Sequence, residues 1–60
     1  MVKYEVPLIE KNGVIKLKYE VERGEGVKVH IDIPRGIAVV SSEKEIRKLE
    51  KKDDVKILKE

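Results

Sequence analysis

The stretch that most constrains this fold runs from Val27 to Val40, where apolar and polar residues alternate almost without a break. A period of two is typical of a β-strand with one apolar face. Residues 34–36 (Pro-Arg-Gly) interrupt the alternation with turn chemistry, because proline presets φ and glycine accepts the left-handed conformation. The stretch therefore predicts a β-hairpin in which Ile33 pairs with Ile37, and it predicts that His30 faces outward.

A second hairpin is predicted before it. Residues 2–8 also alternate, and Asn12-Gly13 favours a type I′ turn, which needs positive φ at both central positions. A two-residue loop pairs Leu8 with Leu17 and continues the pairing through residues 4–6 and 19–21, with apolar side chains on one face. Because Pro7 has no N–H to donate, this first strand should be an edge strand or carry Pro7 at an unpaired position.

The second strand is predicted to run from Val14 to Glu22 and to pair next with residues 27–33. A three-residue loop over 23–25 brings Val21 opposite Val27, and it also brings Lys16 opposite Asp32 on the outer face. Opposite charges across strands are mildly stabilising. Residues 2–40 therefore predict a four-stranded antiparallel meander with one apolar face.

The remaining residues are predicted to form a helix and a short fifth strand. Residues 42–45 (Ser-Glu-Lys-Glu) match a capping box, so a helix should run from about Glu43 to Lys52. Its apolar residues, Ile46 and Leu49, share one face. Val55 to Leu58 is the predicted strand.

The fold class expected from these elements is α+β, in one small domain spanning residues 1–60. The helix brings two apolar residues, whereas an amphipathic surface helix usually offers three to four per two turns. The sheet must therefore either curl into a small SH3-like barrel closed by the last strand or remain open and dimerise, and both solutions stay open. The side chains expected in the core are Leu17, Tyr19, Val29, Ile31, Ile33, Val39, Ile46 and Leu49.

The amino-acid composition limits which metal sites and cross-links the chain can form, and it indicates the kind of source. The chain has no cysteine and one histidine, which excludes disulfides and thiolate metal sites and leaves no ordinary set of zinc ligands, so we expect no metal and no cofactor. Charged residues make up 43% of the chain, with high Lys and Glu and few heat-labile residues. This composition is typical of a thermophile, although an idealised designed sequence would share it.

The sequence also argues against a membrane partner and against catalysis. No run approaches the ~20 apolar residues of a membrane span, and the N-terminus lacks a signal-peptide apolar block, so we expect a cytoplasmic protein. His30 has no predicted partner suited to acid–base catalysis, and Ser42 is already explained as a helix cap. We therefore expect no enzymatic activity.

One group of basic residues suggests nucleic-acid binding. On the predicted helix, five cations share an arc opposite the apolar residues, and such a stripe is suited to phosphate contacts. Glutamates flank the stripe, and no aromatic residue accompanies it for base stacking. The candidate nucleic-acid-binding residues are Lys44, Arg47, Lys48, Lys51 and Lys52.

The order of three landmarks is similar to that of AbrB/MazE-like swapped-hairpin DNA-binding proteins. These landmarks are residues 12–15 (Asn-Gly-Val-Ile), 24–29 (Gly-Glu-Gly-Val-Lys-Val) and 36–40 (Gly-Ile-Ala-Val-Val), and they fall within about half of the chain. The resemblance implies an intertwined dimer and transcriptional regulation. The chain departs from the family at residues 18–22, which read as strand where the family has a short helix.

The sequence thus favours a non-enzymatic interaction module that binds another copy of itself or another protein. Nucleic-acid binding through the helix is the alternative.

Overall fold

The computed structural model describes residues 1–59. It is a small, β-rich fold: an antiparallel four-stranded sheet curled into a half-barrel, with a fifth short strand and one short helix. The elements in chain order are β1 (Val2–Lys11), β2 (Val14–Leu17), β3 (Val27–Asp32), β4 (Ile37–Ser42), α1 (Arg47–Glu50) and β5 (Lys56–Lys59). No helix within the described residues is long and apolar enough to cross a membrane.

The ten-residue strand β1 organises the sheet. Along one edge it pairs with β4, and along the other it pairs first with β5 and then with β2. The sheet order is β2-β1-β4-β3, so the predicted meander order is wrong: β1 lies between β2 and β4, and β2 does not pair with β3. The first hairpin is confirmed, with Leu8 opposite Leu17 and positive φ at both Asn12 and Gly13.

The strand β2 stops at Leu17 instead of continuing to Glu22, and Pro7 supplies the physical reason. The Lys18 amide donates to the Pro7 carbonyl at 2.9 Å, which makes these two residues antiparallel partners. Pro7 has no N–H, so the Lys18 carbonyl finds no donor in β1 and the ladder ends there. The chain leaves the sheet, and β5 takes the vacated edge of β1, with Ile57 opposite Tyr4.

The hairpin of β3 and β4 forms one residue out of the predicted register. Asp32 pairs with Ile37, so the turn spans residues 33–36, and the Gly36 amide closes it on the Ile33 carbonyl at 3.0 Å. The Asp32 carboxylate also accepts a hydrogen bond from the Arg35 amide at 3.4 Å. This extra turn residue is the reason that the predicted pair of Ile33 with Ile37 is wrong.

A one-residue slip exchanges the two faces of a strand. In β4 the residues on the concave face of the half-barrel are therefore Ala38, Val40 and Ser42, all of which are buried. Val39, which we expected in the core, lies half-buried on the convex face opposite His30.

The helix is one turn long rather than ten residues. Ser42 is the last residue of β4, held between Val2 and Val27, and its hydroxyl bonds to the amide and carbonyl of Lys44 at 3.2 and 2.6 Å. It therefore cannot cap a helix, and the predicted capping box is wrong. The residue that precedes α1 is Ile46, which has no side-chain cap.

The core sits at one end of the concave face, under α1 and residues 18–26. Its buried side chains are Val2, Tyr4, Val6, Val40, Leu49 and Val55, and its partly buried neighbours are Leu17, Tyr19, Val21, Val27, Val29 and Ile46. Ile31 and Ile33, placed by the sequence at the centre of the core, are 41% and 60% exposed. They lie toward the end of the half-barrel that α1 is too short to reach.

Candidate functional site

The uncovered end of the concave face carries a group of apolar side chains, which we call the open end: Leu8, Ile15, Ile31 and Ile33. Ile15 is 43% exposed, and Leu8 is half-buried between its β2 and β4 neighbours. Leu8, Ile15 and Ile33 line one shallow groove, while Ile31 stands beside them opposite Ala38. Three of the four side chains of the open end, those of Ile15, Ile31 and Ile33, are exposed.

The outer edge of β3 borders the open end. The Glu43 amide donates to the Gly26 carbonyl at 3.1 Å, which shows that even-numbered residues of β3 point their backbone groups at β4. The backbone groups of Val29 and Ile31 consequently point away from β4. Within residues 1–59 no strand pairs with this outer edge. An unpaired row of donors and acceptors is a template for another strand.

The convex side chains of β3 are Lys28, His30 and Asp32. Asp32 lies 3.8 Å from the guanidinium of Arg35, which also reaches Glu5 at 3.4 Å. His30 is exposed and lies opposite Val39. Among the described residues, no group of three or more His, Asp or Glu side chains is arranged to hold a metal ion. His30 is therefore a surface residue of an edge strand in this arrangement.

The five candidate nucleic-acid-binding residues do not form a stripe, because only one helical turn exists to align them. Arg47 and Lys48 line a groove of about 330 Å³ together with Glu20, Glu22 and Glu45. Three glutamates therefore line the same groove as these two cations.

The other three cations are dispersed. Lys44 shares a shallow groove with Glu25 and Glu43, and Lys52 holds its Nζ 5.1 Å from the centre of the Tyr19 ring. Lys51 is exposed at the end of α1. The five side chains are therefore not aligned along a single helix, because α1 spans only Arg47–Glu50.

A polar surface cluster ties residues 18–26 to the segment before β5. Asp54 accepts hydrogen bonds from the Lys18 ammonium at 2.7 Å and from the Tyr19 hydroxyl at 2.6 Å. The Lys18 bond lowers the pKa of Asp54, with a further contribution from Tyr19. The same bonds to Asp54 raise the pKa of Lys18 and that of Tyr19. Each pKa shift is explained by these contacts, which hold residues 18–19 against the segment before β5.

The hydroxyl of Tyr4 is the polar centre of the core. Tyr4 is fully buried; its hydroxyl accepts the Ile46 amide at 2.7 Å and donates to Oε2 of Glu50 at 2.8 Å. Burial raises the pKa of Tyr4, and the Glu50 carboxylate raises it further. This contact fixes the start of α1 on β1. Sequence patterning identified Tyr4 only as an apolar partner, because nothing local indicates what its hydroxyl will meet.

Comparison of the chain with known protein families, with curated proteins and with solved structures finds no match. The function must therefore be argued from the chain's own surfaces. Among the described residues, the open end is not covered by α1, and the adjacent outer edge of β3 is not paired with another strand.

Proposed function

We propose that this chain is a non-enzymatic interaction module that acts as a homodimer, with the open end and the outer edge of β3 as its binding surface. The observation that carries this proposal is the exposure of Ile15, Ile31 and Ile33 on the concave face, next to a strand edge without a partner.

The energetics favour covering this surface. Apolar area removed from water contributes roughly 25 cal/mol per Å², and a chain of this size buries too little of its own surface to be strongly stable. Disulfides cannot compensate in a chain without cysteine. Self-association is one of the usual ways in which small domains gain the missing stability.

The charges support a protein partner over nucleic acid. Phosphate binding depends on cations that act together, whereas Arg47 and Lys48 share their groove with three glutamates and the ammonium of Lys52 lies over the Tyr19 ring. Nucleic-acid binding remains the alternative function, and it predicts an affinity for DNA or RNA that falls steeply with salt.

Sedimentation equilibrium over a range of micromolar concentrations tests the proposal. We expect the wild type to pass from monomer to dimer as its concentration rises. Ile33→Lys should shift this transition to higher concentration, because it places a charge in the open end at a turn position that is already 60% exposed. A strictly monomeric wild type would refute the proposal.

A matched control separates the open end from general surface charge. Leu58 is 37% exposed and lies on the convex face, opposite Lys3. Leu58→Lys therefore adds the same charge outside the proposed surface and should leave the dimer unchanged. Equal weakening by both variants would argue against the open end as the binding surface.

A further inference from the structure

We infer that the outer edge of β3 is self-complementary, and that two copies of this chain join by antiparallel pairing of β3 with β3 about a two-fold axis that passes between their His30 residues. This inference rests on the proposed homodimer and specifies its register. Lys28 of each copy then lies opposite Asp32 of the other, and Val29 of each lies opposite Ile31 of the other.

The free backbone groups of β3 match this register. Val29 and Ile31 both direct their N–H and C=O outward, so two copies can exchange both bonds between these residues. At the flanks, the Val27 carbonyl meets the Ile33 amide of the second copy.

The other two backbone groups of this flanking pair, the Val27 amide and the Ile33 carbonyl, already have hydrogen-bond partners within their own chain. The Val27 amide donates to Gly24 at 3.2 Å, and the Ile33 carbonyl accepts the Gly36 amide at 3.0 Å. A shift of two residues in either direction would instead place the Val27 amide or the Ile33 carbonyl, which already has a hydrogen-bond partner, opposite an unbonded backbone group of the second copy. That unbonded group would then have no partner. The pairing about His30 is thus the register that leaves no outward group of β3 without a partner.

The side chains select the same register on both faces. On the convex face, Lys28 meets Asp32 twice by symmetry, and cross-strand pairs of opposite charge are stabilising. On the concave face, the exposed Ile31 and Ile33 gain Val29 and Val27 of the second copy as neighbours. Sliding the strands by two residues would put Lys28 opposite either His30 or Pro34 and would lose both charge pairs.

The outer edge of β2, which also has no strand partner within residues 1–59, is less suited to a second copy. The outward backbone groups of β2 belong to Ile15 and Leu17, because Lys16 bonds to β1. Symmetric pairing of these residues would place Lys16 opposite Lys16, and like charges directly opposite are destabilising. Charge complementarity therefore favours the edge of β3 over that of β2.

Single-cysteine variants test the register, since the chain contains no cysteine of its own. In this dimer the two residues at position 30 form a non-hydrogen-bonded pair, with Cα atoms about 4.5 Å apart, within the range that a disulfide spans. His30→Cys should therefore form a covalent dimer in oxidised glutathione, as read by non-reducing electrophoresis.

Lys28→Cys is the matched control. Its two copies would lie four residues apart along the paired strands, or roughly 13 Å, which is too far for a disulfide. A mixture of Lys28→Cys with Asp32→Cys should cross-link across the axis. Cross-linking of Lys28→Cys alone, or none by His30→Cys, would overturn the register.

Charge reversal provides a second test that does not depend on oxidation. Lys28→Asp should weaken the dimer about tenfold by creating two carboxylate pairs. Asp32→Lys should do the same with two ammonium pairs, and the mixture of both variants should form a heterodimer in which both ion pairs are restored. A wild type that dimerises without these responses would overturn this inference and leave the proposed homodimer standing, whereas a monomeric wild type would overturn both.

Discussion

The hydroxyl of Tyr4 offers the sharpest test of how this small core is held together. Tyr4→Phe keeps the buried ring and removes one oxygen, which accepts from the Ile46 amide and donates to Glu50. A hydrogen bond to a charged group contributes about 1.5–3 kcal/mol, and leaving a buried donor unsatisfied costs about 1–3 kcal/mol. Because the contact is only partly buried, we take the lower part of each range and expect a loss of about 2–3 kcal/mol in the free energy of unfolding.

Such a loss is large for a chain of this length, whose total stability should be about 3–9 kcal/mol. It corresponds to a fall in Tm of about 10–20 °C. Urea unfolding followed by circular dichroism, at one fixed protein concentration, measures it. The concentration must be fixed because self-association would add to the apparent stability.

Tyr19→Phe is the matched control for the tyrosine hydroxyl. It removes a hydroxyl that bonds to Asp54 at the surface, so its effect should be much smaller. Glu50→Gln retains an acceptor oxygen for Tyr4 and should fall between the two. If Tyr4→Phe stays within about 0.5 kcal/mol of the wild type, the hydroxyl does not anchor α1 and the reasoning fails.

Two further predictions concern the surface cluster and the turn before β3. The pKa of Asp54 is lowered by Lys18, so its contribution to stability is present above its unfolded value, near 4, and is lost as the pH falls through the folded value. The free energy of unfolding, measured as the pH is lowered, should show this loss in the wild type and a smaller loss in Lys18→Met. The same dependence on acidic pH in both proteins would contradict the prediction. Gly26→Ala should cost about 1–2 kcal/mol, because φ is +81° and a Cβ would lie 2.9 Å from Oε2 of Glu43. Gly24→Ala, with nothing within 4 Å, is its control in the same unfolding assay, and equal effects of the two changes would contradict the assignment.

Local signals predicted two of the three hairpins correctly but not the order of the strands. Asn12-Gly13 and the alternation of residues 27–40 each describe contacts between neighbours in sequence, and both of these hairpins formed. The predicted hairpin that joins residues 14–22 to 27–33 did not form. Alternation alone does not identify the partner of a strand, because an apolar face on β1 suits β2, β4 or β5 equally. Pro7 lies where β2 leaves β1, and its missing N–H ends the pairing beyond Lys18. The strand β1 is nevertheless an interior strand, and Pro7 also lies opposite Ile37 of β4.

The sequence predicts a binding surface at a sheet edge or on the apolar face that the helix leaves open, but it does not identify which edge, for the same reason. A meander places β3 in the interior of the sheet with β2 on its outer edge, and in that arrangement the spacing of Lys28 and Asp32 about His30 has no role in an interface. The register of β3 on β4 could not be predicted from the local sequence either, because Pro-Arg-Gly is compatible with both a three-residue and a four-residue turn. The four-residue turn exchanged the faces of β4 and left Ile33 exposed.

Amide hydrogen exchange of β3 as a function of protein concentration tests the central claim most directly. The outward amides of Val29 and Ile31 have no strand partner within residues 1–59, so they should exchange rapidly in dilute protein and slow as the dimer forms. The outward amides of Ile15 and Leu17 on β2 should not respond. Exchange at Val29 and Ile31 that is independent of concentration would contradict the claim that β3 is the binding edge.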